Sequence, residues 1–327
     1  GEFYKLDTAK TNGYLFPHDR KVPLPFQPVA RIGLNYHAFE YTFFRASFGQ
    51  GYRFPSVAEK FVSTAVSSLK IYPNSSLQPE RGYSAELGLK QGFQIAGFQG
   101  FLDVAAFYTK YESMVEFVFD IYKPGGATGI FYQDIAYAGF KSQNIGEAQI
   151  TGYEASVSGT GKIGPIKVTV FSGYTYMNPI NPNFDPKRDT LGLPGVNVLK
   201  YRSKHLLKND IQLDYKFLSL GYSTRFQSKT ENIDRRFTQS ILHEYNDIAN
   251  GVNWDEVDAT YILPGLNKNF GEFQKSVWVH DARISCKLGK YVKISFIVNN
   301  FTNVSYQARP GDLRAPTQYV GQLALKF

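Results

Sequence analysis

Apolar and polar residues alternate along most of the chain with a period of two. In residues 207–215, the odd positions are Leu, Asn, Ile, Leu and Tyr, and the even positions are Lys, Asp, Gln and Asp. Successive side chains of a strand point to opposite faces, so one face of this segment is mostly apolar and the other is charged. A helix would distribute the same charges around its circumference. The pattern therefore predicts a β-strand with one apolar and one wet face.

The same alternation recurs often enough to predict about eleven strands. The other segments are residues 30–36, 41–52, 83–93, 101–111, 149–157, 167–176, 218–227, 277–288, 291–300 and 318–327. Residues 1–6 resemble the stub of one more strand. Most segments are close to the nine to eleven residues that a tilted membrane-spanning strand needs. We therefore predict an all-β fold, a transmembrane antiparallel β-barrel of which about 11–12 strands are present.

The predicted connections alternate between short and long. The short ones are residues 37–40, 94–100, 159–164, 216–217 and 289–290, and the long ones are 53–82, 112–143, 177–204, 228–276 and 301–317. Outer-membrane barrels have short periplasmic turns and long external loops, so the long connections are expected outside the cell. A soluble β-sandwich is the alternative, but its strands average five or six residues and nothing in it sorts the loops by length.

The composition is consistent with a barrel that has lipid on one face and water on the other, and it gives no sign of a catalytic site. Aromatic residues make up 16% of the chain, yet the mean hydropathy is only −0.29. No run of about eighteen apolar residues predicts a transmembrane helix. The net charge of +8 is not gathered into basic runs, so nucleic acid is not expected as a partner. One cysteine excludes an internal disulfide, and no motif predicts a catalytic residue, cofactor or metal site.

The last predicted strand carries four apolar residues on one face: Tyr319, Leu323, Leu325 and the terminal Phe327. This pattern resembles the C-terminal signature that the barrel-assembly machinery reads on bacterial outer-membrane proteins. We interpret these four residues as a barrel-assembly signal.

Several segments, in order, resemble the TonB-dependent outer-membrane receptors, with a style closest to those of Bacteroidetes. The stretch from Arg45 to Ser56 with Glu59 resembles the strand-and-loop signature of that family, and residues 74–77, 79–80 and 86–88 match the family's next segment. Residues 298–303 with Tyr306 resemble the penultimate strand and its exit. Arg314, Ala315 and Pro316 before Tyr319 resemble the approach to the last strand. Within the signature loop the resemblance marks Arg53, Pro55, Glu59 and Glu80.

The resemblance implies a 22-stranded barrel filled by an N-terminal plug domain. Residues 1–327 would then be the C-terminal part of the barrel, without the plug and without the TonB box. The implied function is energised uptake of a scarce nutrient, with a ferric siderophore or haem favoured, and not an enzymatic one. The implied partners are outer-membrane lipid and lipopolysaccharide, the missing barrel half and plug, the TonB system acting through the plug, and a small-molecule substrate. The implied location is the outer membrane.

The long loops hold the residues that we predict to contact a substrate. Aromatic and cationic side chains suit an anionic, partly apolar ligand. The candidates are Tyr122, Tyr132, Arg188, Arg235, Arg236 and Trp254. Alternative functions are a passive porin-like channel, or a receptor for a glycan, a peptide or cobalamin. A complete small barrel and a soluble β-sheet binding module also stay open.

Overall fold

The computed structural model describes residues 27–66, 69–122, 137–189, 191–235, 274–307, 309 and 312–326. Eleven strands form one large sheet: β1 Arg31–Phe39, β2 Thr42–Arg53, β5 Glu80–Ile95, β6 Phe98–Glu112, β9 Ala148–Ile163, β10 Ile166–Ile180, β11 His205–Tyr215, β12 Leu218–Gln227, β13 Val277–Leu288, β14 Val292–Asn299 and β15 Gln318–Leu325. All of them pair antiparallel with their neighbours, in chain order. The eleven predicted strands are therefore confirmed, whereas the stub at residues 1–6 lies outside the described part of the chain.

The connections of this sheet alternate in length as the sequence predicts. Residues 40–41, 96–97, 164–165, 216–217 and 289–291 form the short turns, and residues 54–79, 113–147, 181–204, 228–276 and 300–317 form the long connections. All the short turns consequently lie at one end of the sheet, and all the long connections lie at the other.

Six strands are longer than the nine to eleven residues expected: β2 and β13 by one residue each, and four others by four or five. β5 and β9 each have 16 residues, and β6 and β10 each have 15. The antiparallel pairing between β9 and β10 continues without interruption from Ile163 and Ile166 up to Gln149 and Ile180. At the long-loop end, residues 149–152 of β9 and 177–180 of β10 thus extend past the end of β11, whereas residues 92–95 of β5 extend past β2 at the short-turn end.

One face of the large sheet is apolar across at least five consecutive strands. Directly opposed residues point to the same side, so the register traces each face from strand to strand. One row runs through Val168, Leu213, Leu220, Ile284 and Phe296 on five consecutive strands. Four of these side chains leave large exposed apolar surfaces, since only Val168 is buried. The predicted apolar face is therefore confirmed.

The opposite face is polar. A neighbouring row contains Lys167, Asp214, Ser219, Ser285 and Ser295, again on five consecutive strands. The aromatic rings of Phe101 and Phe171 also lie on this face, as exceptions.

Two arginines of the polar face reach carboxylates two strands away. Arg45 on β2 donates to Asp103 on β6 at 2.7 and 2.9 Å, and Arg283 on β13 donates to Asp210 on β11 at 2.6 and 2.7 Å. Each arginine crosses a glycine that lies opposite it on the intervening strand, Gly88 or Gly221. A Cβ at Gly88 would lie 2.6 Å from the Arg45 guanidinium carbon, and one at Gly221 would lie 2.2 Å from Arg283 Nε. Glycine is therefore required for both arginines to lie flat on the eleven-stranded sheet, which we call the wall.

A second, four-stranded sheet is built from the long connections after β2 and β6. It contains β3 Thr64–Val66, β4 Leu69–Tyr72, β8 Ala138–Asn144 and β7 Val115–Ile121, in that order, with a parallel pairing between β4 and β8. A five-residue helix, α1 Val57–Phe61, precedes β3. The sequence pattern predicted only loops at these positions. The described residues contain no helix that is long and apolar enough to cross a membrane.

Candidate functional site

The loop after β2 is fixed by a network of charged groups at the long-loop end of the wall. Ser56 caps α1, because its hydroxyl accepts from the Glu59 amide at 3.2 Å while the Glu59 carboxylate accepts from the Ser56 amide at 2.7 Å. Arg53 donates to both Glu59 oxygens at 3.0 Å and also pairs with Glu80. Burial raises the pKa of Glu59, but the Ser56 and Arg53 hydrogen bonds outweigh it and hold this pKa below its ordinary value. The helix α1 is therefore anchored to the ends of β2 and β5.

A buried charge cluster joins three long connections above the wall. It consists of Glu116, Lys200, Tyr201 and Asp234. Lys200 Nζ pairs with Asp234 and lies 3.3 Å from a Glu116 oxygen. The Lys200 and Asp234 side chains are only 5% and 1% exposed. The Tyr201 hydroxyl also donates to Asp234. Buried charges persist in proteins when they are paired and hydrogen-bonded, as they are here.

Residues 200–202 form a sharp turn that points three successive side chains into one cavity. Tyr201 has a φ of 59°, in the left-handed region that an aromatic residue rarely adopts. Its amide donates to the Asn232 carbonyl at 2.9 Å, which contributes to holding this conformation. An extended backbone would send alternate side chains to opposite faces, whereas this turn lets Lys200, Tyr201 and Arg202 share one wall. Local strain of this kind is concentrated at functional sites.

The cavity has a volume of about 490 Å³ and lies between α1, the second sheet and the turn at residues 200–202. Its lining is Ala58, Glu59, Val62, Thr64, Ile71, Tyr72, Met114, Val115, Glu116, Phe117, Ser142, Lys200, Tyr201, Arg202 and Arg309. The volume lies within the range of about 300–1,000 Å³ that small-molecule sites occupy. Its combination of aromatic, aliphatic and charged groups is typical of such sites.

The carboxylates of the cavity are paired with cations, whereas two of its guanidinium groups have no carboxylate partner among the described residues. Glu59 is paired with Arg53, and Glu116 with Lys200. Among the described residues, no carboxylate lies within ion-pair distance of Arg202 or Arg309. Arg309 instead lies 5.4 Å above the Tyr201 ring. The cavity can therefore offer two guanidinium groups and an aromatic face to an anionic ligand.

The titratable groups at the base of the cavity are shifted toward their neutral forms. Burial raises the pKa of Glu116, and Lys200 opposes that shift only in part. Burial, with the Asp234 charge beside it, raises the pKa of Tyr201. Tyr201 is consequently held as a phenol that donates to Asp234. Within the described ranges, no group of three or more His, Cys, Asp or Glu residues could hold a metal ion.

Of the predicted substrate residues, the structure describes Tyr122, Arg188 and Arg235, and none of these three lines the cavity. The Tyr122 hydroxyl donates to the Val118 carbonyl at 2.8 Å, and its ring lies 5.3 Å from that of Tyr72. Arg188 is 87% exposed and lies 3.3 Å from Asp185. The Arg235 amide donates to the Leu191 carbonyl at 3.0 Å. Tyr132, Arg236 and Trp254 lie outside the described residues. Substrate contact by any of the six stays a prediction.

Of the four signature-loop residues, Glu59 lines the cavity. Arg53 pairs with both Glu59 and Glu80 outside the lining, and Pro55 is buried. Sequence reasoning missed Tyr72, Arg202 and Arg309 as candidates. The succession of Lys, Tyr and Arg at residues 200–202, just before a strand, was the available signal.

The two ends of the large sheet are open strands. β15 is exposed along its whole length, and Tyr319, Leu323 and Leu325 lie together on the apolar face. Phe327 lies outside the described residues. The shared face of the first three residues agrees with the sequence, and their role in assembly stays a prediction.

Solved structures with the same fold are outer-membrane receptors and transporters. The ferric-catecholate import receptor Fiu from E. coli K12 matches with 18% identity and a TM-score of 0.56, over 91% of this chain and 34% of that one. The Serratia marcescens hemophore receptor HasR, solved with its hemophore HasA and heme, matches with 17% identity and a TM-score of 0.54, over 91% and 39%. The copper transporter OprC matches with 13% identity and a TM-score of 0.57, over 91% and 39%.

The chain thus spans between a third and two fifths of the length of these structures. No curated protein matches it by sequence. The family described as TonB dependent receptor-like, beta-barrel matches residues 9–301. Its members are outer-membrane β-barrels, and the predicted fold and location are confirmed by this match. This chain belongs to the TonB-dependent receptor β-barrel family.

Proposed function

We propose that this chain supplies the C-terminal barrel wall and external loops of a receptor that imports a scarce small molecule. The observation that carries the proposal is the cavity above the wall, with its aromatic lining and two guanidinium groups that have no carboxylate partner in the described part of the chain. The family membership supplies the setting, an outer membrane that the molecule must cross. Plug, remaining barrel strands and the TonB system would come from outside these 327 residues, and lipid and lipopolysaccharide would surround the wall.

We favour a ferric siderophore or haem as the molecule. The cavity presents Arg202 and Arg309 to negative charge, and Tyr201, Tyr72 and Phe117 to a planar or apolar part. Aromatic and guanidinium groups together suit an anionic ligand with extended rings. The descriptions of Fiu, a ferric-catecholate receptor, and of HasR, solved with heme, support the same choice.

The turn at residues 200–202 would be ready to bind before the ligand arrives. Tyr201 is fixed by Asp234 and Asn232, and Lys200 is fixed by Asp234 and Glu116. Groups that are already ordered lose little conformational entropy on binding, which increases affinity. The ion pairs of the buried charge cluster would therefore hold Tyr201 in position for the ligand.

Binding by the full-length receptor in detergent tests the site. Purified receptor would be titrated with two probes, a ferric tris-catecholate complex and haem, and the binding constant followed by quenching of protein fluorescence. We expect R202Q and R309Q each to weaken binding of one probe about tenfold, as for loss of a charge-assisted hydrogen bond. Arg314→Gln is the matched control, because Arg314 is an exposed arginine of the long connection after β14 that pairs with Asp312 and lies outside the cavity.

Uptake in cells separates active import from passive diffusion. Cells that depend on the receptor would be grown with the probe that binds as the sole iron source, with and without functional TonB. We expect growth only with TonB. Equal growth in both strains would indicate a passive channel. The ligand assignment would be refuted if neither probe bound, or if R202Q and R309Q bound as well as the wild type. A glycan, a peptide and cobalamin would then be the next ligands to test.

A further inference from the structure

The two carboxylates that line the cavity are held to different degrees. Glu59 accepts from the Ser56 amide at 2.7 Å, and Arg53 donates to both Glu59 oxygens at 3.0 Å. Hydrogen bonds to the charged form of a carboxyl group favour that form. Glu116 lies 3.3 Å from Lys200, an ammonium group that it shares with a second carboxylate. Glu59 is therefore fixed in its ionised form, whereas Glu116 is the cavity carboxylate that is more easily neutralised.

Glu116 can lose its charge without leaving Lys200 unpaired. The Glu116 side chain is 12% exposed and lines the cavity, whereas the Asp234 side chain is 1% exposed and is not part of the lining. Protonation of Glu116 leaves the deeper pair between Lys200 and Asp234 in place. Because no buried charge would be left alone, this change avoids the large cost of breaking a buried ion pair.

The charged and titratable groups around Glu116 come from five other segments. They are Lys200, Tyr201 and Arg202 before β11, Asp234 after β12, Arg309 after β14, Glu59 on α1 and Tyr72 on β4. Gln143, directly opposite Glu116 on β8, carries no charge. Three cations and two carboxylates line the cavity itself. Neutralising Glu116 would therefore leave three cations beside one carboxylate.

An anion in this cavity and a proton on Glu116 would favour each other. Burial already raises the pKa of Glu116, and Lys200 opposes that shift only in part. An anion bound by Arg202 and Arg309 adds negative charge beside Glu116, and a like charge favours the neutral form of a carboxyl group. Coupling between two bound species is reciprocal, so protonation of Glu116 must strengthen anion binding by the same factor.

We propose that binding of an anionic ligand in this cavity takes up one proton from solvent at the Glu116 carboxylate. The cavity then binds its ligand more tightly as the pH falls, and the proton returns to solvent when the ligand leaves. This inference rests on the proposed function, because it requires an anion in the cavity. It adds a form of regulation that family membership does not supply.

Calorimetric titration of the full-length receptor in detergent tests the proposal. Ferric tris-catecholate and haem would be titrated between about pH 5 and pH 8, in buffers with different heats of ionisation, because the dependence of the binding heat on the buffer counts the protons taken up. Protons that belong to the probe are common to all variants and cancel in the comparison. Glu231→Gln is the matched control, since Glu231 pairs with Lys204 at 2.9 Å and lies outside the cavity lining.

We expect the wild type and E231Q to take up more protons than E116Q, by up to about one proton for each bound probe. Relative to E116Q, the dissociation constant of the wild type should fall with decreasing pH, by at most about tenfold per pH unit, which is the limit for one proton. E116D keeps a titrating carboxyl group and should keep the proton uptake. A purely structural role of Glu116 would not produce this pattern.

Infrared difference spectra of the wild type provide a measurement that needs no variant. Ferric tris-catecholate carries no carboxyl group, so a carboxylic-acid band that appears when it binds must come from the protein. Equal proton uptake by the wild type and E116Q, or binding without such a band, would overturn this inference and leave the import proposal standing. Binding of neither anionic probe would overturn the ligand assignment and this inference together.

Discussion

Lys200 and Asp234 form a buried ion pair between two long connections, although 34 residues separate them in the sequence. One lies just before β11 and the other lies beyond β12, so the pair closes the two connections onto each other above the wall. Glu116, in the second sheet, approaches the same ammonium group at 3.3 Å. Three separate stretches of chain therefore meet at one lysine, and the cavity lies beside that meeting point.

The first prediction concerns this pair. Asp234→Ala would leave the buried Lys200 with Glu116 as its one carboxylate among the described residues, and removing one partner of a buried pair costs about 3 kcal/mol. The loss should appear as faster hydrogen exchange of the Tyr201 amide, which donates to Asn232. Arg188→Ala is the control, since an exposed pair contributes less than about 1 kcal/mol. Unchanged exchange in the Asp234 variant would show that the cluster does not hold the turn.

The second prediction uses the opposite pKa shifts of two glutamates. Glu116 has a raised pKa, so its favourable contribution is complete below its ordinary pKa of 4.5 and is lost as the pH rises through the higher folded value. Glu59 has a lowered pKa, so its contribution is present above 4.5 and is lost as the pH falls through the lower folded value. Acidification should therefore stabilise the surroundings of Glu116 and destabilise α1.

Hydrogen-exchange protection, corrected for the intrinsic effect of pH, measures both changes. Between about pH 7 and pH 4, protection around β7 should rise in the wild type and stay flat in E116Q. At lower pH, protection of α1 should fall in the wild type and change little in E59Q. Each variant serves as the control for the other. The same slope around β7 in wild type and E116Q would contradict the assignment to Glu116.

The third prediction concerns Gly221, which lies directly opposite Arg283 on the neighbouring strand. Gly221→Ala would place a Cβ 2.2 Å from Arg283 Nε and push the guanidinium away from Asp210. Both partners are partly exposed, so we expect a loss of about 1–2 kcal/mol, measured as a lower urea midpoint of the refolded receptor in detergent. Gly33→Ala on β1 is the control, because no atom lies within 4 Å of its added Cβ. Equal midpoints for both variants would mean that Arg283 moves aside without loss.

The fourth prediction concerns the open strand β15. Leu323 and Leu325 are 62% and 54% exposed on the apolar face, where they would face lipid. Replacing both with Ser removes apolar surface from the strand that we interpret as the assembly signal, so the assembled fraction should fall several-fold. The readout is the fraction of receptor that resists unfolding by sodium dodecyl sulfate without heating. Gln322→Ser on the polar face is the control. Normal assembly of the double variant would refute the signal.

Sequence reasoning was strongest for the large sheet. The faces of β11 and β12 result directly from alternation, because lipid on one side and water on the other select each residue by its parity. The predicted alternation of short turns and long connections is also confirmed. The length of β9 was not predicted, because the glycines at positions 159 and 161 indicated a turn at residues 159–164, where the structure continues the strand to Ile163.

The second sheet and the cavity depend on contacts between distant segments. The parallel pairing of β4 with β8 joins two different connections, and short strands within loops carry too little alternation to reveal it. Tyr72, Arg202 and Arg309 meet around one cavity only because those connections fold onto one another. From the sequence, candidate substrate residues such as Tyr122 and Arg188 could be chosen because they are aromatic or cationic. Their place relative to the cavity could not be predicted.

By itself the sequence determined which residues face lipid and which face water, and hence which segments form the wall. It could do so because lipid and water select alternate residues within each strand, which is a local pattern. Only the tertiary structure decided that Glu116, Lys200 and Asp234 share one buried site, and that Tyr72, Arg202 and Arg309 line one cavity. The physical reason is that charge pairing depends on distances of a few ångströms between segments far apart in the chain, which no local pattern encodes.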